Sequence, residues 1–495
     1  MFILTLSPNS AEMSRNSRQK GDASRRKFLR NSSLAAAGFF IVPRHVLGRG
    51  HIAPSDKLNI AGIGAGGKGK GDLKNFAESP KVNIVALCDV DDRQAVDSRK
   101  RFPKAKYYKD FRELLSKEKN NIDACSISTP DNTHAVATMA AMQLGKHVYT
   151  QKPLTHDIYE ARMLTEAAKR YKVITQMGNQ GGSGDGVRRM KEFVDAGLIG
   201  DVHTVYTWTN RPVWPQGIAT PAGKFDIPAE LDWNLWIGPA KMIDYNPAYL
   251  PGKWRGWWAF GTGALGDMAC HIMDPVYRIL PIDYPSDFEC SVTGSWAGMF
   301  DEGSFADSCP PSSIIRLTYP RKDGKGVIKV NWMDGGLLPP RPDELLPDEQ
   351  MGNWDGGVIF EGTKGKVMCD CYGANPRLLP TSLMKETLPP VTIPRVPGGE
   401  DGHYLQWVNA CIDGYGKGIT SSPFEYAGPF AESILIGNLA IRSWMLKNPK
   451  GKDWGDKYLG RKKLLWDAKN MKITNFDEAN QYVRREYREG WSLTM

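Results

Sequence analysis

The sequence predicts a doubly wound α/β domain with a parallel sheet, followed by an α+β domain with a mainly antiparallel open sheet. Three observations indicate this. An apolar run at 58–63 leads into a glycine-rich turn, a helix-compatible segment and a second apolar run. Strand-like and helix-like segments then alternate with short connections as far as Gln176, which is typical of βα units. Beyond Gly200, apolar and polar residues alternate as in strands with one solvated face.

Length and composition suit two or three globular domains. The chain has 495 residues, of which 41% are hydrophobic and 24% charged, values that argue against a disordered or polytopic membrane protein. The formal net charge is +9, but residues 1–50 contribute nine basic and two acidic side chains. The remainder is nearly neutral, which disfavours a nucleic-acid partner.

Residues 1–50 have the layout of an export signal. The basic stretch Ser24–Arg30 precedes a weakly apolar run at 33–42, which is too short for a stable membrane span. The stretch resembles a bacterial twin-arginine signal, with Arg30 where the usual pattern has Lys. We therefore predict export of the folded protein to the periplasm. A disordered basic tail is the alternative.

A dinucleotide site is predicted at the front of the first domain. Gly62, Gly64 and Gly67 form a G-x-G-x-x-G turn between an apolar run and a helix predicted over 69–78. The first glycine allows the tight turn, the second lets a pyrophosphate approach, and the third lets the helix pack on the strand. Asp89 ends the second strand, where a carboxylate can bind ribose hydroxyls and repel a 2′-phosphate. NAD is therefore favoured over NADP, although Arg93 nearby leaves NADP open.

The later βα units supply further candidate cofactor ligands. Strands predicted at 122–128, 147–150 and 172–176 alternate with helices at 132–144 and 155–171. Ligands of such sheets bind beyond the carboxyl ends of the strands. The segments at two of these ends provide the remaining predicted cofactor-binding residues, which are Thr129, Asn132, His134 and Gln151.

The second half is predicted to contain a sheet of half-solvated strands. These strands are expected at 202–209, 289–296, 313–319, 326–332 and 358–361, with a proline-rich loop at 337–347. The predicted organisation is a signal at 1–50, a nucleotide-binding domain at 57–178, a substrate and oligomerisation domain at 179–440, and an extension at 441–495. A packed helix is expected at 482–491 within the extension.

A candidate proton-transfer pair follows a glycine-rich loop at 261–266. Asp267 and His271 are four residues apart, so on a helix they share one face. A histidine can exchange a proton with a hydroxyl, and a carboxylate can orient it. This spacing is equally compatible with a capped, solvated helix start.

Tryptophan is concentrated in the segment before this loop. Seven of the fifteen tryptophans lie between Trp208 and Trp258. Flat aromatic faces beside arginine suit a hydroxyl-rich ligand such as a sugar ring, whereas a buried aromatic core is the alternative. The predicted substrate-binding residues are Asn179, Arg211, Trp214, Trp254, Arg255 and Trp258.

The eight cysteines match no metal motif, and no metal site is predicted. Cys369 and Cys371 form the closest pair, without a histidine cluster beside them. Cys88, Cys125 and Cys270 lie in apolar or helical segments, where cysteine acts as a small hydrophobic residue.

Taken in order, these motifs resemble the Gfo/Idh/MocA oxidoreductases, the family of glucose–fructose oxidoreductase and inositol dehydrogenase. The resemblance covers roughly 57–440 and is carried by the glycine turn, Thr129-Pro130-x-x-x-His134, Lys152-Pro153 and Asp267-x-x-x-His271. It is nearest to an exported branch common in Bacteroidetes and Planctomycetes. The family combines a Rossmann domain with an α+β domain whose open sheet often mediates oligomers, so a homo-oligomer is expected.

The resemblance implies that Lys152, Asp267 and His271 are the catalytic residues. His271 would take a hydroxyl proton, Lys152 would stabilise the oxygen, and Asp267 would position the substrate or His271; the first two could exchange roles. The family's E-K-P motif reads Gln151-Lys152-Pro153 here, so the role of the first position and the basicity of Lys152 are in question.

The implied activity is NAD-dependent oxidation of a sugar, polyol or glycoside hydroxyl, with C3 of a glycoside preferred. One alternative is a redox-neutral hydrolase, lyase or epimerase that retains NAD. A second is a non-catalytic sugar or nucleotide sensor, and retention of Lys152, Asp267 and His271 argues against it.

Overall fold

A computed structural model describes residues 57–303, 305–386, 388–451 and 456–494. The predicted export signal at 1–50 lies outside these residues. Within the described ranges, no helix combines the length and apolar character needed to cross a bilayer. The same ranges contain no group of three or more His, Cys, Asp or Glu side chains that could hold a metal ion. All eight cysteines are buried free thiols.

Six parallel strands form the first sheet, in the order β3-β2-β1-β4-β5-β6. The strands are β1 Leu58–Ile63, β2 Val82–Cys88, β3 Lys106–Tyr108, β4 Ala124–Ile127, β5 His147–Thr150 and β6 Thr175–Met177. The helices between them are α1 Gly67–Phe76, α2 Asp92–Arg101, α3 Phe111–Glu118, α4 Asp131–Gln143 and α5 Ile158–Tyr171. The strand order reverses between β1 and β4, which opens a crevice at their carboxyl ends. The predicted doubly wound domain is confirmed.

The central strands of this sheet are mostly buried because helices cover both faces. In β1, Ile60 and Ala61 are fully buried, and β4 is buried from Ala124 to Ile127. Local signals define the helix ends: α5 begins with a capping box in which Asp157 and Glu160 bond each other's backbone amides.

The second sheet has nine strands in the order β15-β14-β13-β7-β12-β11-β8-β16-β17. These are β7 Val202–Thr209, β8 Asp287–Val292, β11 Ser313–Pro320, β12 Val327–Met333, β13 Gly356–Gly362, β14 Lys366–Asp370, β15 Arg377–Leu379, β16 Leu464–Asp467 and β17 Lys472–Ile473. Strands β7 and β12 run parallel, and the other neighbours are antiparallel. The predicted mainly antiparallel sheet is therefore confirmed.

The other elements surround this sheet. A separate hairpin pairs β9 Trp296–Gly298 with β10 Asp301–Glu302; the predicted strand 289–296 thus ends at Val292, before a Thr-Gly-Ser turn. The helices are α6 Asp185–Asp195, α7 Trp233–Ile237, α8 Gly263–Ile272, α9 Asp274–Ile279, α10 Gly399–Asp413 and α11 Phe424–Trp444. The proline-rich stretch at 337–347 contains neither helix nor strand.

The two C-terminal helices pack against the first domain. In α10, Tyr404 and Trp407 contact Phe76 and Tyr149 with ring centroids 5.0–5.7 Å apart, and this cluster covers one face of the parallel sheet. Helix α11 crosses α5, where Arg162 binds Glu432 through two hydrogen bonds. Segments of the predicted second domain therefore complete the core of the first.

The prediction of a helix over 482–491 is wrong. A 3₁₀ turn at Asp477–Tyr482 is followed by irregular backbone. The amides of Arg485 and Arg488 donate to the Asp157 side chain and the Pro239 carbonyl, not to carbonyls one turn earlier. The tail is thus an extended strap across the first domain and the segment near α7.

Candidate active site

The second glycine of the turn, Gly64, stands where the motif predicts that only glycine fits. Gly64 has a left-handed backbone, with φ of +83°, and a Cβ there would lie 2.5 Å from the Ser128 carbonyl oxygen. Non-glycine residues rarely adopt this conformation. Gly64 therefore brings the turn after β1 against the end of β4.

The third glycine differs from its predicted role. A Cβ at Gly67 would meet no atom within 4 Å, whereas one at Gly69 would lie 1.8 Å from the Gly64 carbonyl oxygen. Helix α1 starts at Gly67, two residues before the predicted start. Close packing of helix on turn therefore requires Gly69, and Gly67 keeps the space before the helix open.

This turn fits a dinucleotide pyrophosphate. The cap residue Gly66 has no side chain that could bond the amides of the first turn of α1. Uncapped helix amides and the positive end of the helix dipole attract phosphate. The open space at Gly67 lies at the same place.

Asp89 lies at the end of β2, beside the turn. Its carboxylate accepts hydrogen bonds from the Ala65 and Gly66 amides at 3.0 and 2.9 Å, and from the Asp91 amide at 3.0 Å. Burial raises the pKa of Asp89 to about 6, although these backbone bonds oppose the shift. Arg93 is bound to Asp91 through two hydrogen bonds of 2.8 and 2.7 Å. The Arg93 guanidinium is therefore engaged by Asp91.

The three predicted catalytic residues meet between the two sheets. Lys152, two residues after β5, donates to the main-chain oxygen of Asp267 at 2.5 Å and to its Oδ1 at 3.0 Å. Asp267 and His271 lie on α8, so one helix face presents both groups to the lysine. Arg255 Nε reaches the same Asp267 Oδ1 at 3.1 Å.

The electrostatics assign different protonation states to the pair on α8. Burial alone would raise the pKa of Asp267, but Lys152 and Arg255 outweigh it and hold that pKa well below its usual value. Burial, followed by the charge of Lys152, keeps the pKa of His271 well below its usual value. At neutral pH the site therefore contains an Asp267 carboxylate and a neutral His271 imidazole. His271 Nδ1 has no hydrogen-bond partner among the described residues.

Tyr372 is a site residue that sequence reasoning missed. Its ring centroid lies 4.4 Å from that of His271, and it sits in a 3₁₀ turn after β14 with φ of +67°. Left-handed backbone at an aromatic residue is uncommon and concentrates at functional sites. Burial raises the pKa of Tyr372 above its usual value. The adjacent Cys-x-Cys motif could have drawn attention to this turn.

Asn179 belongs to a buried network around Asp274. Its Nδ2 donates to Asp274 Oδ1 at 3.0 Å, while Tyr426 OH donates to the same oxygen at 2.7 Å and Arg278 Nε to Oδ2 at 2.7 Å. Asn179 Oδ1 is buried without a partner among the described residues. A ligand hydroxyl could satisfy this acceptor.

The predicted cofactor residues after β4 hold the loops together. Both ring nitrogens of His134 face main-chain oxygens, Pro153 O at 2.7 Å and Thr129 O at 2.9 Å. Burial lowers the pKa of His134 to about 4. Asn132 Nδ2 donates to Ile237 O at 2.8 Å. His134 and Asn132 therefore hold the loop after β4 against neighbouring loops. Their ring nitrogens and amide nitrogen bond main-chain oxygens of the protein.

Gln151 is bound to a carboxylate on α1. Its Nε2 donates to Asp72 Oδ2 at 2.8 Å. Asp131, which sequence reasoning missed, accepts a hydrogen bond from Thr262 Oγ1 at 2.7 Å. Burial raises the pKa of Asp131 to about 7, and this carboxyl links the loop after β4 to the loop before α8.

The aromatic segment divides into a core and a smaller group at the site. Trp254 is buried in an aromatic cluster completed by Leu231, Trp233, Trp236, Tyr245, Tyr249, Trp257 and Phe260. Arg255 lies over the rings of Trp254 and Trp214, 4.3 and 5.8 Å from their centroids. Most of these tryptophans therefore build a core, as the alternative reading held.

The remaining predicted substrate residues lie in two different parts of the structure. Arg211 pairs with Asp355 at 2.9 Å, and both act electrostatically on the Tyr372 hydroxyl. Trp258 instead lies beside Arg442, its carbonyl bound to His156. Trp258 therefore lies near α11 and the strap, whereas Arg211, Trp214 and Arg255 lie around the predicted catalytic residues.

Comparison with family profiles gives two matches. Residues 58–179 match an oxidoreductase family with an NAD-binding Rossmann fold, and residues 183–300 match the C-terminal α/β domain of the same family. Both expectations drawn from the sequence, the family and the NAD-binding domain, are confirmed.

Curated relatives are similar over parts of the chain. A "Glycosyl hydrolase family 109 protein" of Shewanella pealeana is 28% identical over 36% of this chain and 44% of its own. The myo-inositol 2-dehydrogenase of Thermotoga maritima is 27% identical over 32% and 47%. The rhizopine catabolism protein MocA of Rhizobium meliloti is 29% identical over 51% and 78%. The first two alignments span less than half of the relatives' length.

Solved structures share the fold. The WlbA dehydrogenase of Bordetella pertussis, in complex with NADH and UDP-GlcNAcA, has a TM-score of 0.52 at 16% identity, over 78% of this chain and 97% of its own. A levoglucosan dehydrogenase in complex with NADH and levoglucosan has a TM-score of 0.51 at 17% identity, over 78% and 96%. At 16–17% identity, this similarity shows that the fold is shared across both domains.

Proposed function

Because the chain belongs to the Gfo/Idh/MocA family of NAD-binding oxidoreductases, we propose that it oxidises a hydroxyl-bearing carbon of a sugar, polyol or glycoside. One observation carries the proposal. Lys152 is bound to Asp267 across the two sheets, with the neutral His271 on the same helix face. That arrangement offers a cation and a proton acceptor to one hydroxyl.

The residues would divide the work as follows. His271 accepts the hydroxyl proton, because its imidazole is neutral at physiological pH. Lys152 donates two N–H hydrogen bonds to Asp267. Its third N–H is left for the substrate oxygen, where negative charge develops. Asp267 stays ionised and fixes both Lys152 and Arg255. This geometry favours His271 over Lys152 as the base.

NAD fits the crevice beside these residues. The uncapped start of α1, the open space at Gly67 and the carboxylate of Asp89 would hold its pyrophosphate and adenosine ribose. Bound there, NAD would supply the two-electron acceptor that oxidation of the substrate carbon needs.

For the substrate we favour a glycoside oxidised at C3. Arg255 and Trp214 would provide a polar and an aromatic contact to a sugar ring beside Asp267. The names of two relatives, a myo-inositol and a levoglucosan dehydrogenase, point to the same hydroxyl-rich class.

A panel of methyl glycosides, polyols and free sugars, each incubated with purified protein and NAD, tests the proposal. We expect NADH absorbance with a subset and a 3-keto glycoside by mass spectrometry. Lys152→Ala and His271→Ala should abolish the signal. A protein that binds neither NAD nor NADP would contradict the oxidoreductase and favour a sensor.

A redox-neutral reaction is the second candidate, and the glycosyl hydrolase family 109 relatives favour it. In that case NAD stays bound and is regenerated within each turnover. Denaturing the purified protein and weighing the released nucleotide separates the two: stoichiometric NAD(H), with glycoside cleavage and no net NADH, supports the redox-neutral route.

We further propose twin-arginine export to the periplasm and assembly into a homo-oligomer. The basic motif at 24–30 and the neutral remainder of the chain support the first proposal. Replacing Arg25 and Arg26 by lysine should retain the protein in the cytoplasm on cell fractionation. Native mass spectrometry of the purified protein should give a multiple of the chain mass.

A further inference from the structure

Gln151 is held by a buried carboxylate from another part of the chain. Its Nε2 donates to Asp72 Oδ2 at 2.8 Å, and Ser128 Oγ donates to the same oxygen at 2.9 Å. Asp72 lies in α1 and is completely buried, and Gln151 is 4% exposed. A buried carboxylate needs such partners to offset its loss of hydration.

The other side of Asp72 is bound to a cation beside the nucleotide turn. Lys68 Nζ lies 2.9 Å from Asp72 Oδ1 and donates to Tyr404 OH at 2.7 Å. Lys68 follows Gly67 directly in the first turn of α1. Asp72 therefore joins three structures: the phosphate-binding turn, the helix α10 and the residue next to Lys152.

Gln151 in turn fixes the catalytic turn. Its Oε1 accepts the main-chain amide of Lys152 at 3.3 Å. A Cβ at Gly178 would lie 2.8 Å from its amide group, so the side chain is confined between α1 and the segment after β6. Little freedom remains for the backbone that carries Lys152.

We propose that Asp72 and Gln151 form a matched pair that positions Lys152, in which Asp72 supplies from α1 the carboxylate that the family motif carries at position 151. Both are positioning residues. The pair explains how the Gln-Lys-Pro sequence is compatible with the proposed activity, and only the activity readout below rests on that function.

The proposal predicts that positions 72 and 151 together need one carboxylate and one amide. The two groups can exchange positions, but two carboxyl groups cannot take their place. Gln151→Glu would place two carboxyl groups in hydrogen-bond contact, where both cannot ionise and one pKa is strongly raised. That variant should keep its packing at low pH, through a shared proton, and lose it as pH rises. Asp72→Asn combined with Gln151→Glu restores one carboxylate and one amide at nearly unchanged volume.

The neighbouring titratable groups do not obscure the pH dependence that we expect of the Gln151→Glu variant. Tyr404 and Tyr149 face the pair, and burial raises the pKa of both above the usual value. The pKa of Lys68 is also raised, because Asp72 and Tyr404 outweigh its burial. The ring of His403 lies 5.9 Å from that of Tyr149, and burial lowers the pKa of His403 to about 3. Lys152, next to Gln151, is common to all variants. A midpoint between pH 5.5 and 8.5 that appears with Gln151→Glu therefore belongs to the pair of carboxyl groups at positions 72 and 151.

The experiment compares wild type, Gln151→Glu, Asp72→Asn and the double variant of the full protein between pH 5.5 and 8.5. Thermal melting, NAD affinity and kcat are measured, with the exposed Gln350→Glu as a charge-matched control. At pH 8.5 we expect Gln151→Glu to lose at least about tenfold in kcat and to melt lower than at pH 5.5. The double variant should return kcat to within about threefold of wild type, because the pair is restored.

The outcomes separate the possibilities. A Gln151→Glu protein whose melting and kcat follow the wild-type pH profiles would overturn the pair. A pH-dependent melting shift with unchanged kcat and NAD affinity would make the contact merely structural, and would overturn the positioning role. If neither the wild type nor any variant binds NAD, the proposed function fails. The melting temperatures of the four proteins still show whether Asp72 and Gln151 are coupled.

Discussion

Lys152 donates to both the main-chain oxygen and the carboxylate of Asp267, a residue 115 positions further along the chain. This double contact joins the end of a strand in the first sheet to a helix that packs against the second. This contact between Lys152 and Asp267 therefore exists only when both domains are docked.

The charge of Asp267 should matter more than its hydrogen bond. Asp267→Asn leaves Lys152 and Arg255 without their shared carboxylate, so we expect kcat to fall by about 10²-fold and NAD affinity to change little. NADH formation and a fluorescence titration with NAD measure the two effects. Asp287→Asn is the matched control, since Asp287 also pairs with a lysine, Lys463 at 3.1 Å, on the second sheet.

NAD affinity should weaken in mild acid. Burial raises the pKa of Asp89 to about 6, so the carboxyl becomes protonated as pH falls from 7 to 5 and accepts ribose hydroxyls less well. We expect about tenfold weaker binding at pH 5, one unit below that pKa. Calorimetry at several pH values measures this, and Asp89→Asn should remove the pH dependence.

The same shift has the opposite effect on the stability of the ligand-free protein. A raised folded-state pKa favours the protonated native form, and this contribution is lost as pH rises through about 6. Asp89→Asn should therefore melt higher than wild type at pH 8 in the absence of nucleotide. A lower melting temperature there would contradict the burial of this carboxyl.

Glycine substitutions should distinguish the packing glycine from the open one. Gly69→Ala forces a Cβ to 1.8 Å from the Gly64 carbonyl, whereas Gly67→Ala meets no neighbour and bears only the strain of φ +46°. Gly67→Ala should cost about 1–2 kcal/mol, and Gly69→Ala considerably more. Urea denaturation of both variants measures the difference; equal losses would refute the assignment.

The strap should contribute strongly to stability through Arg485. Its guanidinium donates to Glu160 Oε1 at 2.9 and 2.7 Å, and Glu160 is 1% exposed. Arg485→Ala leaves that carboxylate with Tyr487 and backbone amides alone, for an expected loss of about 3–5 kcal/mol. The neighbouring exposed Arg484, which lies over the Tyr159 ring, gives the control Arg484→Ala, expected to cost at most about 1 kcal/mol.

Tyr372 should act through its ring. Tyr372→Phe keeps the contact with His271 and should hold kcat/KM within about threefold of wild type, whereas Tyr372→Ala should lower it about tenfold or more. Steady-state kinetics with the preferred substrate decide between the two. A large loss in the phenylalanine variant would instead assign the hydroxyl a direct role.

Local patterns predicted the elements that depend on neighbours in sequence. The glycine turn, Asp89 and the pairing of Asp267 with His271 on one helix follow from spacing alone, and the parallel sheet follows from the repeated βα units. The order of these motifs along the chain was enough to indicate the family.

Contacts between distant segments were not predictable. Tyr372 meets His271 because a turn after β14 passes beside α8, and nothing in the Cys-Tyr-Gly sequence specifies that meeting. Asp72 reads as a solvated position of a lysine-rich helix, yet it is completely buried. The helix prediction over 482–491 was wrong for a related reason. Amides of this segment donate to Asp157 in the first domain and to Pro239 near α7, and local propensity does not register such distant partners.

The packing of α10 on the parallel sheet also constrains the order of synthesis. Phe76 and Tyr149 emerge from the ribosome long before Tyr404 and Trp407. At about 5–20 residues per second the interval is on the order of tens of seconds. During that time one apolar face of the nascent sheet lacks its cover, so chaperone occupancy should persist until α10 is translated. A fragment ending before residue 399 should remain a chaperone client.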